Sequence, residues 1–139
     1  MSYSDLGLSE RLSNVATPLR EAFASRYRAI DPRQEFAVPA AVLMANLLHC
    51  VAVRDDSEAI VQHARSLAAA HAGTPGIVGA YRNAAQALDW AMRDLLLEHY
   101  TALERERFAT STALFLELVR RASAATRDSS VPQQHSEST

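Results

Sequence analysis

Apolar side chains return every three or four residues along most of this chain, a period that belongs to helices facing a core. Leu12, Val15, Leu19, Ala22, Phe23 and Tyr27 follow it. So do Tyr81, Ala84, Ala85, Leu88, Met92 and Leu95, and again Phe108, Thr112, Phe115, Val119 and Ala122. Strand-like alternation is missing, and only 4 glycines and 5 prolines interrupt 139 residues. The expectation is an all-α fold of six to seven helices. That length suits one domain around one core, placed at residues 1–125. The segment 126-TRDSSVPQQHSEST-139 carries almost no apolar side chain and reads as a disordered polar tail.

Breakers and caps set the expected boundaries. Thr17-Pro18 divides a first helical signal running from Ser9 to Ile30, with Thr17 as cap and Pro18 in the first turn, and Asp31-Pro32 ends it. A second helix starts at Val38 or Pro39 and ends near Val53. Asp55, Asp56 and Ser57 supply an N-cap for a third, which closes at His71 before Gly73-Thr74-Pro75-Gly76. Two long helices follow, from about Ile77 to His99 and from about Ala102 to Ala124.

Composition narrows the function. The formal net charge is −2, with no cluster of basic residues on one face, so a nucleic-acid footprint is not expected. The longest apolar run, 36-FAVPAAVLMANLLHCVAV-53, is interrupted by Pro39, Asn46 and His49 and reads as a buried helix, not a membrane span. No basic-then-apolar leader is visible at the N-terminus. The single cysteine, Cys50, excludes an internal disulfide and fits a reducing, cytoplasmic setting. Phosphate-binding glycine loops, nucleophile elbows and HExxH are lacking, so an enzyme is not expected. Asp55, Asp56, Glu104 and Glu106 sit at helix starts, where carboxylates cap and complement the helix dipole.

Residue order adds a resemblance. The run 22-AFASRYRAIDPRQEF-36 has a Phe-led helix ending in Asp-Pro, followed by Phe36. The run 55-DDSEAIVQHARSLAAAH-71 is a helix closed by a histidine, Tyr81 follows ten residues on, and 104-ERERFATSTALFLELV-119 carries Phe108. Across roughly residues 18 to 120 this order resembles the bacterial globins, above all the haem domain of flavohaemoglobins. The resemblance implies a globin-like fold and one haem b. It makes His71 the proximal iron ligand, sets Phe36 against the haem face, and puts Tyr81 beside the proximal pocket. The ligand would be a diatomic gas: oxygen, nitric oxide or carbon monoxide.

Three departures stand out. Ala24 occupies the place of the family's distal tyrosine, Pro39 and Leu43 fall on the distal side without a hydrogen-bond donor, and Ser123 stands near the family's last-helix glutamate. No reductase domain accompanies the chain, so nitric oxide dioxygenase-type activity would need a separate reductase.

Haem binding needs one axial imidazole and an apolar cleft. Leu67, one turn before His71, and Leu43 and Leu88 are the expected walls, with Leu47, Met92 and Phe115 nearby. His49 is expected to point outward, though it is the one helix-borne distal candidate for a second axial ligand. His63 is expected in solvent, and Cys50 as a small buried hydrophobe. Trp90 faces either a second subunit, making a homodimer possible, or the core. The other reading is a globin-fold sensor or interaction module that has lost haem, motivated by the shortened distal segment.

Overall fold

The structure, a computed structural model, describes residues 7–31, 38–72 and 76–137, with side chains as far as residue 125. Six α-helices make up the fold: α1 (Leu8–Asn14), α2 (Ala16–Ile30), α3 (Ala40–Ala52), α4 (Ser57–Ala70), α5 (Ile77–Leu96) and α6 (Ala102–Glu137), with a 3₁₀ turn at Leu97–His99. The all-α expectation holds, and the helix count falls in the expected range.

Local chemistry explains most boundaries and corrects two. The α1–α2 break lies at Val15, which caps α2 without a side-chain hydrogen bond. Thr17 and Pro18 are inside the first turn of α2, where a missing proline N–H costs nothing. Asp56 caps α4 by accepting from Ala59 N at 3.1 Å. Thr101 caps α6: its hydroxyl oxygen accepts from Glu104 N at 3.1 Å, and the hydroxyl donates to Glu104 Oε1 at 3.4 Å. Helix α5 stops at Leu96 because Leu97 adopts φ 50°, ψ −123°. Helix α6 does not stop near Ala124; its backbone continues to Glu137.

Helices α2 and α5 share the most extensive contact, α4 and α6 the next, and α3 touches α1, α2, α5 and α6. Small residues Ala80, Ala84, Ala87 and Ala91 are wholly buried on α5, which allows close helix approach. One apolar cluster runs from Leu8 to Val119, with Phe23, Leu43, Leu47, Leu88, Met92 and Phe115 at its centre. Arg11 of α1 reaches the start of α6, pairing with Glu104 at 2.7 Å and donating to the His99 carbonyl. Among the described residues no helix is long and apolar enough to cross a membrane.

Candidate functional site

His71 is the C-cap of α4, half-buried, with its backbone N–H donated to the Leu67 carbonyl at 3.1 Å. Leu43, Leu67, Tyr81 and Leu88, the expected pocket walls, are all buried in the one core cluster. Leu43, Tyr81 and Leu88 are 0% exposed, so no water-sized space touches them. Phe36 lies outside the described residues.

The histidine that the fold brings into contact with other helices is His63. From α4, His63 Nε2 lies 3.2 Å from the Asn46 carbonyl of α3. Its ring stacks on Phe115 of α6 at 5.1 Å between centroids and meets His49 of α3 edge-on at 4.4 Å. Phe115 in turn presents to Tyr81 of α5 at 6.2 Å. Asn46 closes the circuit, its Nδ2 donating to the Tyr81 hydroxyl at 2.8 Å and to the Val42 carbonyl at 3.1 Å. Four helices thus meet in one aromatic and amide network. Burial lowers the His63 pKa from its ordinary value, the Asn46 carbonyl partly offsets this, and His49 lowers it further. Burial is the main reason the Tyr81 pKa rises.

The offset of His63 from His71 around α4 predicts a solvated ring. The deciding neighbours, Asn46 and Phe115, lie on other helices. His49 is exposed, as expected, yet its ring reaches His63. Cys50 is buried, which pushes its thiol pKa up to about 12. Trp90 does not lie in the core. It is 39% exposed and lies beneath the guanidinium groups of Arg26 at 5.2 Å and Arg93 at 4.2 Å.

The nominated walls Leu43, Tyr81 and Leu88 pack in one core cluster with Phe115 and Met92. Among the described residues no group of three or more His, Cys, Asp or Glu side chains could hold a metal ion.

Open space lies elsewhere. A groove of about 710 Å³ runs between the outer faces of α5 and α6. Its apolar lining includes Val78, Ala85, Phe108, Ala109, Ala113 and Leu116, and its charged lining Arg82, Arg105 and Arg120 with Asp89, Glu106 and Glu117. Asp89 accepts from the Tyr100 hydroxyl at 2.7 Å and stands 3.9 Å from Arg105 Nε. That Nε is buried without a hydrogen-bond partner. Glu117 is held by Arg120 at 2.7 Å and Arg121 at 3.0 Å, and these hydrogen bonds lower its carboxyl pKa to about 2. Two smaller clefts, of about 260 Å³ beside Leu12, Met44 and Val51 and about 320 Å³ beside Ile60, Leu103 and Leu114, flank the bundle. His71 lines none of the three.

The sequence contained one signal for the groove. Ala102, Glu106, Ala109, Ala113, Leu116 and Arg120 alternate steps of four and three residues, the spacing of a helix seam that faces another helix. The buried stripe of Phe108, Thr112, Phe115 and Val119 is the more apolar face of α6 and masks it. No protein family, curated protein or solved structure matches this chain.

Proposed function

We propose that the chain is a helical interaction module that works without haem and engages a partner helix through the α5–α6 groove. The observation that carries this reading is a division of space. The interior around Leu43, Tyr81 and Leu88 is filled, whereas the outer α5–α6 face is open, apolar along its floor and charged along its rim. A groove of that form suits an amphipathic helix laid lengthwise, whose apolar anchors gain by leaving water while the rim sets register. The groove stretch of α6, from Ala102 to Arg120, spans about 28 Å at 1.5 Å per residue. That is room for roughly five turns.

The haem reading is the rival, and its support is the order of residues around His71. Two measurements separate the readings. Protein purified from cells supplied with a haem precursor is expected to show no His71-dependent Soret band, and added hemin is expected to give identical spectra with the wild type and His71→Ala. A strong Soret band lost in His71→Ala would overturn the proposal. A photo-cross-linking residue at Ala113 is expected to give adducts in cells that the same residue at exposed Ala45 of α3 does not. Equal adducts at both positions would remove the groove from the account.

A further inference from the structure

We infer that the helix occupying the groove is α6 of a second copy, paired antiparallel about a two-fold axis beside Ala113. This inference rests on the interaction reading above and names its partner. The charges at the two ends of the groove are self-complementary. At one end Glu106 is exposed, and its neighbouring arginines face other carboxylates, Arg105 toward Asp89 and Arg107 toward Asp55. At the other, one carboxylate, Glu117, is shared by two guanidinium groups, Arg120 and Arg121. Each copy therefore has an anion to spare at its 106 end and a cation to spare at its 120 end. Antiparallel pairing sets Glu106 of one protomer against Arg120 of its partner, twice, while Arg121 keeps Glu117. A parallel pairing would set Glu106 against Glu106 and Arg120 against Arg120.

Between the charged ends, exposed Ala109 and Ala113 permit close approach of two helix backbones, and Leu116 supplies the apolar knob. The same patch serves both protomers, so the contact closes on itself and does not propagate.

The test uses the full chain in sedimentation and light scattering, with circular dichroism to verify folding. The wild type is expected to have twice the chain mass at micromolar concentration. Glu106→Arg or Arg120→Glu alone is expected to weaken association at least tenfold, and the double swap to restore it. Ala113→Cys is expected to form a disulfide-linked dimer on mild oxidation while Ala45→Cys does not, since the native Cys50 is buried. A wild type that stays monomeric at about 100 μM, where association is worth only about 5 kcal/mol, overturns the pairing. If the Ala113 photo-adducts persist in that case, the interaction reading stands with another partner; if they vanish too, both fall. A dimer unmoved by the single reversals and lacking the Ala113 cross-link assigns the interface to another face and also overturns the inference.

Discussion

Two regions of this molecule treat their polar groups in opposite ways. In the network joining α3, α4, α5 and α6, Asn46 binds the Tyr81 hydroxyl and the Val42 carbonyl through its amide and His63 through its own carbonyl. Across the outer α5–α6 face, Glu106 stands exposed and Glu117 is shared by two arginines. Interiors cannot leave such groups unmatched, because the desolvation cost is not recovered. A surface can, and a surface that also exposes apolar floor has capacity for a partner. The contrast teaches that in this chain conspicuous histidines and aromatics hold the fold together, while plain Ala, Glu and Arg positions face outward with chemistry to spare.

The heaviest blow to that contrast is removal of Phe115. It is fully buried and touches both His63 and Tyr81. Phe115→Ala is expected to destabilise by about 3–5 kcal/mol, read as a fall in denaturant midpoint with an unchanged slope. A loss under about 1 kcal/mol would mean the network is not the keystone of the interior. Next comes the Arg11–Glu104 pair, whose side chains are only 9% and 12% exposed. Breaking a buried pair by removing one partner typically costs about 3–5 kcal/mol, and residual solvent access brings Arg11→Met to roughly 2–3 kcal/mol. The same change should not alter self-association, since α1 does not line the groove.

The imidazole in the network makes a pH prediction with a definite sign. Burial holds the folded-state pKa of His63 below its ordinary value of 6.5. The unfolded chain then binds more protons than the folded one at mildly acid pH, so stability rises with pH across that window. The contribution of His63 is fully present above pH 6.5 and declines as pH falls below it toward the folded-state pKa. The groups facing it are His49, whose charge lowers the His63 pKa further, and the Asn46 carbonyl, which opposes the shift. His63→Gln is expected to flatten this part of the stability–pH curve, and His49→Ala to flatten it less. A wild-type curve level between pH 7 and 5 would place His63 in solvent after all.

How far these regions were legible in the sequence follows from the range of the forces involved. Helix periods are local, so the four longest helices are placed within a few residues at their N-terminal ends, and Asp56 is readable as a cap from its neighbours alone. Thr17 misleads because a proline three residues into a helix is as acceptable as one at its start, and Val15 leaves no side-chain signature. His63 depends on Asn46, 17 residues away, and on Phe115, and no local pattern carries that. The groove is harder still: each outer face reads as an ordinary solvated surface until α5 and α6 lie side by side. His71 is conspicuous because it ends a helix, and that position gives it backbone hydrogen bonding to Leu67.

The smallest expected effect tests the surface half of the comparison at its most exposed point. Leu97 is 66% exposed and sits at φ 50°, where a Cβ is unfavourable and glycine is not. An apolar side chain that is both strained and in water gives the monomer nothing it can measure in burial. Leu97→Gly relieves the backbone but loosens the unfolded chain, and these terms oppose each other at about 1 kcal/mol each. The net change in monomer stability is therefore expected within about 0.5 kcal/mol of zero. If glycine instead costs as much as Phe115→Ala, Leu97 belongs to the interior's side of the ledger and the α5–α6 turn is not a free surface. If stability is unmoved while association weakens, the apolar contact extends from the groove onto the turn.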